Sequence, residues 1–179
     1  MNLLAGFAPF FVFAVLIHFG FVEAALWAAA AAAAVLAIRD RFLLKRSVKA
    51  LDVGALTLFA ALALYTSLTG QTWTIPSVRL VVDGGLLAIV LGTLAVGRPF
   101  TLQYARETTS PDAWGSPRFM AVNRCVTLVW AAAFAVMVFA DAAMVYAPEI
   151  PSRIDILATV LAFVGAYKFT VRATAQPAR

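Results

Sequence analysis

From Leu3 to Ile38 the chain is apolar apart from His18 and Glu23. As a single helix rising 1.5 Å per residue that run would be about 54 Å long, against a hydrocarbon core of about 30 Å. It has to fold back on itself. Gly20, between His18 and Glu23, is the natural turn, so the run predicts two helices, over about 3–19 and 21–38. Pro9 follows Gly6 and kinks the first, which therefore either spans or is re-entrant, leaving six full spans or five. The second contains seven consecutive alanines, Ala28 to Ala34, which insert weakly but let a neighbouring helix approach closely.

The same alternation of apolar run and short polar interval continues to the end. Further helices are predicted over about 50–68, 80–96, 125–146 and 154–171, with a turn at Ala147 to Ser152 that contains Pro148 and Pro151. A chain that is 63% hydrophobic and 13% charged is not a soluble domain, whose charged share is about a quarter. The fold class is all-α: a polytopic helical membrane protein with five or six transmembrane helices and a cytoplasmic interfacial segment between helices four and five. The whole of 1–179 reads as one integral membrane domain. The start, Met1-Asn2-Leu3-Leu4, lacks the basic region of a cleavable signal, so the first run is expected to stay in the mature protein. Gly84, Ala88 and Gly92 stand at four-residue spacing in the fourth run, two small-xxx-small steps that predict a ridge for close helix packing.

The net charge of +5 is distributed as orientation signals are. Twelve of the fourteen Lys and Arg residues fall in the 39–49 loop, the 97–124 interval and the C-terminal end (Lys168, Arg172, Arg179), and only Arg79 and Arg153 fall on the other side. By the positive-inside rule both basic segments and the C-terminus are cytoplasmic, and nucleic acid is not the partner that the charge serves. Trp27, Tyr65, Trp73 and Tyr146 near the outer ends, and Tyr104, Trp114, Trp130 and Tyr167 near the inner ones, fit two aromatic belts.

Gly97 to Arg124 is the one long interval that is not continuously apolar, and it reads as a hinge between two blocks of helices. Its Arg98, Arg106, Arg118 and Arg124 alternate with Phe100, Leu102, Tyr104, Trp114 and Phe119. That mixture suits a segment lying flat on the bilayer surface, rings dipped toward the acyl boundary and guanidinium groups among headgroup phosphates. Arg98, Phe100, Tyr104, Arg106, Trp114 and Arg118 are the candidate interfacial or partner-docking residues, broken from one long amphipathic helix by Thr108 to Pro111 and Gly115 to Pro117.

Ionisable groups inside spans are costly and usually face the bundle interior. The candidates for a functional polar site are His18, Arg79, Asp83 and Asp141, with Glu23 beside them, all in the outer half of the predicted spans. Arg79 and Asp83 have the i, i+4 spacing of a structural pair, and Asp141 has no cation within one turn of its own helix. The single Cys125 forms no internal disulfide, and the single His18 excludes a bis-histidine haem within one chain. Asp83-Gly84 lacks the further aspartates that a membrane phosphotransferase needs to bind metal. No phosphate loop, HExxH or nucleophile motif is present. The reading is therefore of no catalytic residues, no metal and no cofactor.

The order of features resembles the intracellular septation protein A family of small bacterial inner-membrane proteins. The resemblance rests on Phe7-Ala8-Pro9-Phe10-Phe11, the basic loop after the second run, Leu56-Thr57, Trp73 with Pro76, Arg98-Pro99-Phe100 in place of a Lys-Pro-Leu turn, and Trp114, Asn123 and Trp130. It covers nearly the whole chain in short motifs. Asp141 stands where that family tends to carry Asn, and the alanine run is a further departure. The resemblance implies a non-enzymatic inner-membrane protein that supports cell-envelope maintenance and division, with the lipid bilayer and division or envelope-synthesis membrane proteins as partners. The rival class is a small transporter or channel using Asp83 and Asp141.

Overall fold

In a computed structural model, residues 3–147 and 149–175 are described. Met1, Asn2, Pro148 and Arg179, which the sequence reading uses, lie outside them. The chain is all-α, with no strand among the described residues. Its helices are α1 Leu3–Gly6, α2 Ala8–His18, α3 Val22–Ile38, α4 Ala50–Thr69, α5 Ile75–Ala95, α6 Phe100–Arg106, α7 Pro117–Tyr146 and α8 Ser152–Ala175. Five segments, Val22–Leu43, Ala50–Thr69, Ile75–Ala95, Pro117–Tyr146 and Ser152–Ala175, are long and apolar enough to cross a membrane. The protein is multi-pass. The first apolar run does not add a sixth segment of that length: α1 and α2 break at Phe7, and the 11 residues of α2 cover only about 16 Å.

Several boundaries differ from the sequence reading, and prolines account for two of them. Thr74 starts α5, accepting a hydrogen bond from the Ser77 N–H at 3.3 Å through its hydroxyl, with Pro76 in the first turn, where its missing N–H costs nothing. Arg79 is therefore inside a helix that the sequence starts at 80. Ser116 likewise caps α7 through the Phe119 N–H at 3.2 Å, and Pro117 opens a helix of 30 residues that would be about 45 Å long, well beyond the bilayer core. The Arg118 and Arg124 ends of the predicted hinge are thus the first turns of α7.

The packing groups the described residues into two compact units, one up to residue 89 and one from residue 90, which divide within α5. The first unit is organised by small side chains. Ala25, Ala29 and Ala33 of α3 and Ala55 and Ala63 of α4 are all 0% exposed. The α2 rings reach α4, with Phe10 and Phe13 centred 5.1 and 5.5 Å from Phe59. Gly20 makes the α2–α3 turn with φ +83°, a region open to glycine at little strain. A Cβ on Gly54 would stand 2.8 to 2.9 Å from three carbons of Ile89, so α4 and α5 meet at that glycine. The predicted ridge does not make such a contact: a Cβ on Gly84 or Gly92 would meet nothing within 4 Å, and Ala88 is exposed.

The second unit is organised by aromatic rings and hydroxyls. Trp130 of α7 is buried against Phe163 of α8, centroids 5.0 Å apart and edge to face, and its indole N–H donates to the Thr170 hydroxyl at 2.9 Å. A buried Trp needs such a partner for its donor. Thr170 in turn donates to the Ala166 carbonyl at 2.8 Å.

Candidate functional site: the two basic turns

The polar chemistry of the chain concentrates in the turns after α3 and after α5. Beyond Ile38 the helix widens into a π-helical turn, Arg39–Leu43, closed by the Leu44 N–H on the Arg39 carbonyl at 3.0 Å. Such turns are rare and frequent at functional positions. Here the turn carries Asp40 inward. Asp40 is 0% exposed, and one of its oxygens accepts from the Arg39 guanidinium at 2.9 and 3.1 Å while the other is paired with the Lys49 ammonium. Lys49, the N-cap residue of α4, is itself buried, as is Asp52 one turn later. Asp52 takes a hydrogen bond from the Lys49 backbone, and its Oδ1 has no hydrogen-bond partner among the described residues.

Asp40, Lys49 and Asp52 are thus buried beside the part-exposed Arg39, so the buried carboxylates have cations next to them. The Asp40 carbonyl also holds the Arg46 N–H at 2.8 Å, and Lys45 between them adopts φ +51°, a left-handed conformation uncommon for a side chain of its size. Outside this anchor the loop points its apolar residues outward: Phe42 is 71% exposed, Leu43 76% and Leu44 45%, between exposed Arg41 and Lys45.

The turn after α5 is built differently. Gly97, at φ +69°, ends the helix in a Schellman arrangement, its own N–H on the Leu94 carbonyl at 3.0 Å and the Arg98 N–H on the Thr93 carbonyl at 2.9 Å. The Thr93 hydroxyl then receives the Phe100 N–H at 3.2 Å. The α6 helix lies against α7, where the Thr101 hydroxyl meets the Asn123 carbonyl at 2.9 Å and the Thr127 hydroxyl at 2.8 Å. Phe100 and Tyr104 are 0% and 1% exposed. They are core residues of the second unit, so the expected face of rings dipped toward lipid does not include them. Arg98, Arg106 and Arg118 are exposed and Trp114 is half-buried. The Arg106 guanidinium lies 5.2 Å from the Trp114 ring centroid, and the Trp114 indole donates to the Thr109 carbonyl at 3.0 Å.

The candidates for a polar site lie on α2, α3, α5 and α7. His18 ends α2, exposed, with its ring edge-on to Phe19 at 5.8 Å. Glu23 accepts from the Ser67 hydroxyl, which takes the Trp27 indole N–H at 3.2 Å, joining α3 to α4. Arg79 is half-buried and Asp83 buried in α5, and Asp141 is 0% exposed in α7. Asp83 belongs to the first unit and Asp141 to the second. Sequence reasoning missed Asp40, Lys49 and Asp52 by counting the 39–49 loop only as positive charge. The available signal was two aspartates twelve residues apart, Asp40 inside the basic stretch and Asp52 three residues beyond its end at Lys49. Asp155, 4% exposed in α8, was missed as well. No family model, curated protein or solved structure matches the chain.

Proposed function

We propose that this is a non-catalytic bacterial inner-membrane protein of the septation protein A type, with both basic turns and the C-terminus cytoplasmic. Its role is support of the cell envelope and division through membrane and protein contacts. The observation that carries the reading is the 41–46 loop, whose exposed Phe42, Leu43 and Leu44 are bracketed by Arg41 and Lys45. Apolar side chains flanked by cations at the end of a span suit the headgroup layer of an anionic leaflet. The buried Asp40 cluster supports the reading by holding that loop in one conformation. In a strain lacking the gene, the parent should restore envelope integrity and septation, while Arg41→Gln with Lys45→Gln should accumulate normally and restore them poorly. Full restoration by that double variant would remove the loop from the mechanism.

A second reading, a small transporter or channel, is favoured by the buried carboxylates of Asp83 and Asp141 in spans. The same assay separates the two. Asn keeps the shape of Asp141 and most of its hydrogen bonding while removing the charge, so a scaffold should work with Asp141→Asn. An abundant but inactive Asp141→Asn protein beside an active Asp83→Asn control would put transport first.

A further inference from the structure

A cleft of about 390 Å³ opens beside α6, lined by Arg98, Pro99, Leu102, Gln103 and Arg106. We propose that it is a binding site for one anionic phospholipid, its phosphate held between the Arg98 and Arg106 guanidinium groups and its glycerol and first acyl carbons against Pro99 and Leu102. This goes beyond the loop reading, since it lies in the other unit and uses none of the loop residues.

The two arginines are available, both with exposed side chains. Neither is ion-paired among the described residues. At Arg98 the backbone is fixed, because the Schellman turn at Gly97 holds its N–H on Thr93 and the buried Pro99 follows it directly, and its side chain is exposed. Arg106 is set by its stack on Trp114, whose ring is in turn tied to Thr109. A group held as Arg106 is loses less entropy on capturing a ligand, and the planar guanidinium suits phosphate oxygens better than an ammonium does. The chemistry of the lining selects an amphiphile. The two cationic groups are joined by the apolar side chains of Pro99 and Leu102, with Gln103 as the one further polar side chain. The position agrees: α6 begins five residues after the apolar span Ile75–Ala95 ends, where headgroups lie.

The test is native mass spectrometry of the full chain in a neutral detergent, titrated with phosphatidylglycerol. Phosphatidylcholine serves as the zwitterionic control and glycerol 3-phosphate as the soluble source of the same phosphate chemistry. The expected result is one phosphatidylglycerol retained per chain in preference to phosphatidylcholine. Retention should fall about tenfold in Arg98→Gln and in Arg106→Gln, as loss of a charge-assisted hydrogen bond implies, and should be unchanged in Arg153→Gln. Arg98 is exposed, so its variant keeps the fold even if loss of the Trp114 stack unsettles Arg106→Gln. Equal retention by the parent and Arg98→Gln, or binding of glycerol 3-phosphate as tight as that of the lipid, overturns the proposal. Failure here leaves the complementation result on Arg41 and Lys45 untouched, so the two readings fall separately.

Discussion

Between α3 and α4 the chain turns by burying charge, with Asp40 fully enclosed between Arg39 and Lys49 and Asp52 beside them. Between α5 and α7 it turns by backbone and hydroxyl hydrogen bonds, through Gly97, Thr93 and Thr101, and leaves Arg98 and Arg106 outside. The first solution makes the charges structural and offers only a rim of cations and apolar side chains. The second is closed by uncharged groups at Gly97, Thr93 and Thr101 and leaves Arg98 and Arg106 exposed to a ligand. The same residue type in two basic segments thus has two uses, decided by whether a carboxylate is folded in with it.

The comparison can be broken most severely at Asp40. Asp40→Ala removes the carboxylate that bridges Arg39 and Lys49 and leaves the Lys49 ammonium buried, which should cost about 3 to 5 kcal/mol. A large loss of thermal stability in detergent would register it. A change under about 1 kcal/mol would mean that the cluster behaves as an exposed pair. At the other turn the matching lesion is Thr101→Val, which deletes the buried hydroxyl between α6 and α7 and should cost about 1 to 3 kcal/mol. If Thr101→Val were the more damaging of the two, the assignment of ionic and neutral turns would have to be reversed.

The contrast between close-packed and open glycines is sharpened by a gentler pair. Gly54→Ala pushes a methyl into Ile89, whose branched side chain is stiff in a helix, so about 1 to 3 kcal/mol should be lost. Gly92→Ala meets open space and replaces a poor helix former by the best, so stability should hold or rise by up to about 1 kcal/mol. Thermal unfolding of the two variants side by side measures the difference, and a Gly92→Ala protein less stable than Gly54→Ala would place the contact on the predicted ridge after all.

Helix starts at Ile75 and Pro117 were also written in the chain, as a hydroxyl residue followed by proline in the first turn. Charge and polarity around them made the intervals look like loops, because hydropathy sees only the part of a helix that sits in lipid. α7 outruns the bilayer, and its first turns are polar for that reason.

All-α architecture, five long apolar segments and the Gly20 turn were determined by the sequence alone. Twenty apolar residues in lipid can satisfy their backbone groups only as helix, and only glycine enters a tight left-handed turn without strain. Which small residues face a partner was decided by the tertiary structure. Ala25, Ala29 and Ala33 on α3 and Gly84, Ala88 and Gly92 on α5 carry the same four-residue spacing, yet the first set is 0% exposed and the glycines of the second have open space around them. Spacing defines a face of a helix but not what covers it. Asp40 and Lys49 likewise met only because a π-helical turn and the start of α4 brought them together, a pairing set by three-dimensional proximity that no one-dimensional count of charge contains.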